Sequence, residues 1–384
     1  MGERAGGRVN TIADLLRNEP RARAFLLTHL QSSLGTGAGY VALVVIAYRR
    51  FHSPWAITLV LLADFLPVML FGPLIGAIVD RWSRRWCAVA ADAIRAVAFV
   101  GIGLVSGFEV TVALAVLAGF GTALFSPSIL SALPSLVEKD RLPAITSLYG
   151  SVTDLGRTVG PLIAAISFPL VGAEVLLVAD GVTFGISAVV LATLSFGART
   201  SEEVSAGGRA LLQEAREGIA TAARLPGVRV VLFASSAIVL FAATLNVAEL
   251  LLARELHAGA AGYAVLLAML GIGVVAGSLT AVRGSSPPEL KSRYLGGLAV
   301  VSLGLLLLSV VPVYAAALPA FLITGIGNGL VVVHERRLFQ IGVPERLRGR
   351  AFASLDTLAS WAFAAAFLLS GALIAAMGTR ELLA

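Results

Sequence analysis

The chain of 384 residues carries 29 basic and 23 acidic residues, so only 14% of it is charged, while 58% is hydrophobic. A soluble globular chain carries about 25% charged residues, and this composition therefore excludes a soluble domain as well as a disordered chain. The single cysteine excludes an internal disulfide and a cysteine metal cluster. The sequence predicts an all-α integral membrane protein.

Eleven apolar segments are long enough to cross a bilayer core as helices, which takes about 20 residues each. In chain order the predicted spans are 25–48, 56–79, 88–108, 111–133, 148–171, 175–194, 228–252, 260–281, 294–311, 313–333 and 351–377.

The polar break at 195–227 separates six spans from five. We therefore predict a cytoplasmic segment at 1–24, a six-helix bundle at 25–194, a cytoplasmic linker at 195–227 and a five-helix bundle at 228–384. Within the linker, residues 210–224 have the pattern of a short amphipathic helix on the inner membrane surface. Such a helix is either a hinge lever or an ordinary interfacial linker.

Basic residues fix the predicted orientation, because cytoplasmic loops are enriched in lysine and arginine. Of the 29 basic residues, 23 lie on the side of the N-terminus, four lie on the other side, and two fall within spans. The sequence therefore predicts a multi-pass protein of the cell inner (cytoplasmic) membrane with a cytoplasmic N-terminus.

The loop after the second span has the pattern G-x-x-x-D-R-x-x-R-R, formed by Gly76, Asp80, Arg81, Arg84 and Arg85. This pattern resembles the loop signature of the major facilitator superfamily. The glycine permits close helix packing, and the aspartate can accept charge-assisted bonds from an arginine or a helix N-terminus. The resemblance implies a latch at a cytoplasmic gate. The alternative is an ordinary loop of basic residues, which does not explain Gly76 and Asp80.

The resemblance extends along most of the chain, through the segments 90–96, 325–329 and 343–350, and is closest to the exporter branch that includes enterobactin and macrolide efflux proteins. It implies a fold of two helical bundles with a small-molecule substrate between them. We expect a monomer in the lipid bilayer without a cofactor. The histidines have no metal-ligand spacing, and the basic residues lie between apolar segments, where they orient a membrane chain, so neither a metal nor a nucleic-acid partner is expected. A twelfth span, which this fold has, is apparently absent.

The fifth span carries Gly150, Gly156, Gly160 and Pro161. The series is similar to the antiporter signature of the superfamily's drug exporters, although Ala164 and the following alanine replace its final two glycines. Small residues let helices approach closely, and proline bends a helix. The resemblance implies export coupled to proton antiport. The alternative is a packing seam such as any helix bundle contains.

Charged residues within spans are functional hypotheses, because their burial in a membrane is costly. Asp92 and Arg95 are three residues apart on one helix, close enough to pair, and we interpret them as a pair associated with the gate. Asp180 is interpreted as structural.

Four further charged residues are candidates for proton coupling. Asp154 and Arg157 are one turn apart before Gly160, as either an exchanging or a permanent ion pair. Asp64 and Glu249 have no partner within a helical turn, and each therefore either faces water or meets a charge from another span. Candidate cavity-lining residues are Phe65, Phe125, Asn246, Asn328 and Trp361.

The leading hypothesis is a secondary active exporter of hydrophobic or amphipathic small molecules, such as drugs, siderophores or metabolites, which works by alternating access and proton antiport. An importer or lipid flippase of the same fold, or a non-transporting membrane receptor or scaffold, remain alternatives. An enzyme is not expected, because no phosphate-binding G-x-x-x-x-G-K-[ST] loop and no cluster of nucleophile, metal ligands or acid and base occurs.

Overall fold

The computed structural model describes residues 15–194, 246–280, 286–343 and 348–383, with the single positions 196, 236 and 240. The described chain is helical. Its helices are α1 (Pro20–Phe51), α2 (Pro54–Arg81), α3 (Arg84–Leu104), α4 (Phe108–Ala132), α5 (Leu142–Thr193), α6 (Gly259–Thr280), α7 (Pro287–Val310), α8 (Tyr314–Gly342), α9 (Arg348–Met377) and α10 (Thr379–Leu383). Short 3-10 turns at Leu133–Ser135 and Lys139–Arg141 connect α4 to α5, and residues 246–255 are also helical.

Eight of the described helices, α1 to α8, are long and apolar enough to cross a membrane. Because α5 contains both the fifth and the sixth predicted spans, these eight helices account for nine of the predicted spans. A shorter apolar stretch, Ser360–Ile374, lies within α9. Most of the predicted span at 228–252 and all of the predicted amphipathic helix at 210–224 lie outside the described residues, so the count of eleven stays a prediction.

Helix α5 changes direction at Gly172, where φ is 77° and ψ is 172°. A positive φ of this size strains any residue with a Cβ atom, and glycine adopts it at little cost. The break divides the helix into two limbs, here called α5a (142–171) and α5b (173–193). It lies between the ends of the two predicted spans, at 171 and 175, so a single glycine makes the turn between them.

The described chain forms two compact units. The first unit contains the described residues of Met1–Leu43, Ala63–Ile163 and Val171–Gly208, and the second contains those of Val44–Leu62, Ala164–Leu170 and Arg209–Ala384. At one end of the first unit, Phe25, Ile129, Ile145 and Leu191 belong to an apolar core shared by α1, α4 and both limbs of α5.

The second unit is organised around the G-x-G-x-G segment of α8. Cβ atoms built at Gly325 and Gly329 would overlap backbone carbonyl oxygens of α6, while one at Gly327 would lie 2.5 Å from the Val301 backbone nitrogen on α7. Residues four apart share a helix face and the residue between them lies opposite. The segment therefore lets α8 pack closely against α6 on one side and α7 on the other.

The second unit also contains the C-terminal end of α1 and the start of α2. The guanidinium carbon of Arg254 lies 4.5 Å from the ring centroid of Tyr48, and a Cβ at Gly371 of α9 would lie 2.9 Å from Thr58 and 3.0 Å from Trp55. These contacts attach the C-terminal end of α1 and the start of α2 to helices from the second half of the sequence.

Candidate functional site

The guanidinium of Arg95, on α3, is enclosed by side chains of three helices in the first unit. Its Nη2 donates a hydrogen bond to Oδ1 of Asp92, one turn earlier. Its central carbon lies 4.1 Å from the ring centroid of Phe125 on α4 and 4.2 Å from that of Phe184 on α5b. The cation is therefore held between two aromatic faces. The predicted pairing of Asp92 and Arg95 is present, and its association with the gate stays a prediction.

Asp180, on α5b, packs against a G-x-G-x-G segment of α1. A Cβ at Gly35 would lie 2.7 Å from Asp180 Oδ1, and one at Gly39 would overlap Oδ2. Glycine at both positions therefore leaves a notch, formed by Gly35 and Gly39, that accommodates the carboxyl group. Asp180 is 1% exposed. Its Oδ2 has no hydrogen-bond partner among the described residues.

Asp64, on α2, is half-buried, and its backbone packs against α4. A Cβ at Gly119 of α4 would overlap the Asp64 backbone carbonyl oxygen, and a Cβ at Gly121 would lie 2.6 Å from Arg95 Cγ. These two glycines face opposite sides of α4 and let α2 and α3 approach it from either side. In the described first unit the buried acidic side chains are thus those of Asp92 and Asp180, with one buried arginine, Arg95.

His29, on α1, lies beside this cluster. Its ring stacks on Tyr149 with centroids 4.6 Å apart and also faces Phe25 and Phe125. Nε2 lies 2.9 Å from the Thr153 hydroxyl oxygen, and Nδ1 has no hydrogen-bond partner within the described chain. The aromatic side chains thus cover the His29 ring, and one of its two nitrogen atoms forms no hydrogen bond with a described residue.

Glu249 is the buried acid of the second unit. It lies among the helical residues 246–255 and is 5% exposed, so its side chain is buried and does not face water. In the described part of the chain its Oε2 has no hydrogen-bond partner. A carboxyl group in this setting fits a role in proton binding, which stays a prediction.

Asp154 and Arg157 are both exposed on α5a. No ion pair joins their side chains in the described structure, although they are one turn apart. Gly156 and Gly160 of the same limb are buried, so Asp154 and Arg157 lie on a different face of the helix from the glycine contact.

The glycine contact itself joins α5a to α1. A Cβ at Gly156 would overlap the Ser33 backbone carbonyl oxygen, and one at Gly160 would lie 2.5 Å from the Gly37 Cα atom. Gly160 is followed by the buried Pro161. The two helices therefore meet backbone to backbone through the residues of the predicted antiporter-like series. Gly150, the first residue of that series, has nothing within 4 Å of its Cβ position.

Replacing Gly156 by valine is expected to destabilise the first unit by about 1–3 kcal/mol, because the added side chain must push apart two helix backbones. The measurement is the midpoint of thermal unfolding of the detergent-solubilised protein. Gly150→Val is the matched control and is expected to leave the midpoint nearly unchanged, since that side chain enters open space. Equal midpoints for the two variants would contradict the close contact.

The residues of the predicted gate lie where α2 ends and α3 begins. Gly76, Asp80 and Arg81 are in the last turns of α2, and Arg84 and Arg85 open α3. The side chains of Gly76, Asp80 and Arg81 lie outside what the structure describes. The guanidinium of Arg85 lies 5.1 Å from the ring centroid of the adjacent Trp86. The latch function of this segment stays a prediction.

The candidate cavity residues have different surroundings. Phe65 is 39% exposed and Trp361 is 52% exposed, whereas Phe125 is 6% exposed and lies between Arg95 and His29. The remaining two, Asn246 and Asn328, are half-buried in the second unit. A cavity-lining role for these residues stays a prediction. Within the described ranges no group of three or more His, Cys, Asp or Glu side chains is placed to hold a metal ion.

Two features of this site are not predicted from the sequence. The G-x-G-x-G pattern at Gly35, Gly37 and Gly39 of α1 matches that of α8, and could have indicated a helix packed on two sides. Gly37 faces α5a, whereas Gly35 and Gly39 face Asp180 on α5b. The burial of His29 had no sequence signal beyond its place within an apolar span.

Comparison with known proteins identifies relatives over most of the chain. A family model described as Major Facilitator Superfamily matches residues 25–367. Multidrug efflux pump Tap of Mycobacterium tuberculosis is 30% identical over 192 residues, which are 47% of this chain and 46% of that pump. Macrolide efflux protein A of Streptococcus pyogenes is 24% identical over 185 residues, which are 47% of this chain and 45% of that protein. The chain thus spans about half the length of these curated relatives.

Solved structures resemble the fold over nearly the whole chain. The nucleoside transporter NupG has a TM-score of 0.76 at 12% identity and covers 94% of each chain. A bacterial homolog of the human lysosomal transporter Spinster has a TM-score of 0.72 at 14% identity, covering 95% of this chain and 86% of the other. At such identities the likeness shows the fold alone.

Proposed function

Because the chain belongs to the Major Facilitator Superfamily, whose members are transporters rather than enzymes, we propose that it exports hydrophobic or amphipathic small molecules by proton antiport. Export proceeds by alternating access, in which the binding site opens first to one side of the membrane and then to the other. The substrates are drugs, siderophores or other metabolites. The chain resides in the cell membrane with its N-terminus in the cytoplasm.

The observation that carries this proposal is the backbone contact between α1 and α5a. The small residues of an antiporter-like series, Gly156 and Gly160, meet Ser33 and Gly37 of α1, and Pro161 follows at the contact. Proline lacks the N–H that would bond to the carbonyl four residues earlier, which allows the helix to bend there. A tight seam of this kind, with a proline at which the helix can bend, favours a seal that limits leakage of protons and substrate during export.

The relatives support the direction of transport. Two of the proteins that the chain resembles are named as efflux proteins, a multidrug pump and a macrolide exporter. The buried acids of the two units, Asp64 and Asp180 in one and Glu249 in the other, support proton coupling, because a carboxyl group in a membrane interior can bind and release a proton as its surroundings change.

Cells that contain the protein are expected to accumulate less of at least one amphipathic compound than cells without it. Collapse of the proton gradient by an ionophore is expected to remove the difference. The measurement is steady-state accumulation of a panel of fluorescent dyes and antibiotics, in a bacterial host that lacks its own major efflux pumps.

Flux in lipid vesicles of known protein orientation separates the remaining possibilities. Accumulation on the side that faces the cytoplasmic N-terminus would contradict export and indicate an importer. A panel in which no compound changes, with or without the gradient, would contradict the transport function and indicate a receptor or scaffold.

A further inference from the structure

Among the described residues of the first unit, two acidic side chains and one arginine are buried. Asp92 is fully buried and already paired with Arg95, whose guanidinium is also covered by two aromatic rings. Asp180 is 1% exposed, and its Oδ2 has no hydrogen-bond partner among the described residues. One arginine cannot neutralise two carboxylates, and an unpaired charge in a low-dielectric interior is costly.

The immediate surroundings of Asp180 suit a carboxyl group that holds a proton. Gly35 and Gly39 present the backbone of α1, whose N–H groups are used within that helix, so they supply no hydrogen-bond donor to the carboxylate. The Thr183 hydroxyl has one proton, which it donates to the Asp180 backbone carbonyl oxygen at 2.7 Å. The same hydroxyl also points at Asp180 Oδ1 at 3.3 Å, but its single proton cannot serve both oxygen atoms at once, and the shorter bond is to the backbone.

The described side chains nearby supply no counter-charge to Asp180. His29 and Tyr149 stack on each other, and His29 also faces Phe125, which covers Arg95. Neither Asp180 nor His29 forms an ion pair within the described residues. A protonated, neutral carboxyl group is therefore the form of Asp180 that leaves no unpaired charge in the interior.

We propose that Asp180, in the notch formed by Gly35 and Gly39, is a proton-exchanging residue. Its carboxyl group binds a proton from one side of the membrane and releases it to the other side as the protein alternates between its two states. The inference rests on the proposed proton antiport and assigns one of its coupling residues.

Infrared difference spectroscopy of the purified protein in lipid detects a proton bound to the Asp180 carboxyl group directly. It does not require a transport measurement. At neutral pH the wild-type spectrum minus the Asp180→Asn spectrum is expected to contain the carbonyl stretch of a protonated carboxylic acid. That band is expected to disappear as the pH is raised. Glu109→Gln, which replaces an exposed acid at the start of α4, is the control and is expected to remove no such band.

Transport measured on the same preparations separates coupling from structure. Asp180→Asn is expected to abolish export driven by a pH gradient while substrate exchange without a gradient continues. Asp180→Glu, which keeps a titratable group, is expected to shift the infrared band and to retain part of the gradient-driven export. It also serves as the second variant should the asparagine protein fail to fold.

Two results would overturn the assignment of Asp180: a difference spectrum without the protonated band, or a band that persists at high pH together with normal gradient-driven export in Asp180→Asn. The second result would mean that Asp180 is a permanently neutral, structural residue. Wild-type protein that shows no dependence on the gradient, although the band titrates, would instead contradict the proposed antiport.

Discussion

Replacing Arg95 by methionine is expected to lower the free energy of unfolding by about 3–5 kcal/mol, the cost of breaking a buried ion pair by removing one partner. Asp92 is 0% exposed and its Oδ2 already lacks a hydrogen-bond partner in the described structure. Without the guanidinium, the Asp92 carboxylate would be left charged and unpaired between helices, and the rings of Phe125 and Phe184 would lose the cation between them. Thermal unfolding of the detergent-solubilised protein measures the effect.

Two further variants test whether the loss of stability comes from the unpaired Asp92 carboxylate. The double variant Asp92→Asn with Arg95→Met removes both charges and is expected to recover much of the stability, because replacing a whole buried pair is far less costly than breaking it. Arg293→Met breaks a pair with Glu289, 2.9 Å away on α7, in which the side chains are 34% and 45% exposed. That change is expected to cost about 0.5 kcal/mol or less. Similar losses for Arg95→Met and Arg293→Met would contradict a buried, energetically important pair.

The positions of the helices follow from the sequence to within a few residues in most cases. Apolar length alone predicts a helix because a membrane interior offers no other partner for backbone N–H and C=O groups, and α1 to α4 and α6 to α8 each contain most of a predicted span. The turn at Gly172 shows the limit of this approach. Hydropathy predicts one span on each side of this turn. The structure joins the two spans through a bend at Gly172, whose φ of 77° depends on that single residue being glycine.

The candidate site was predicted in its residue types but not in its grouping. Local spacing predicts the Asp92 and Arg95 pair, because residues three apart on a helix are neighbours. The contact of Asp180 with Gly35 and Gly39 joins distant parts of the chain, and no periodicity within either helix reports it. The interpretation of Asp180 as structural stays a prediction, and the proposed proton exchange is the alternative to it. Packing between helices decides which charges meet.

Neutralising Asp64 is expected to uncouple export from the proton gradient. A gradient of one pH unit supplies about 1.4 kcal/mol for each proton exchanged, which sustains about a tenfold ratio of substrate concentration across the membrane. Asp64 is half-buried on α2, within a predicted span, where a carboxyl group can bind and release a proton as its surroundings change. In vesicles with an imposed pH gradient, we expect Asp64→Asn protein to let the substrate ratio relax towards one, whereas wild-type protein maintains it.

The variant Asp154→Asn is the matched comparison for Asp64→Asn. Both residues are candidates for proton coupling in the first unit, but Asp154 is exposed whereas Asp64 is half-buried. Asp154 is exposed and forms no ion pair with Arg157 in the described structure, so its side chain lies on the surface of α5a rather than among the buried residues. We therefore expect Asp154→Asn protein to sustain a larger substrate ratio than Asp64→Asn protein under the same gradient. If the ratio instead collapses in Asp154→Asn and persists in Asp64→Asn, coupling depends on the exposed face of α5a, and the buried acids around Arg95 serve to hold the helices together.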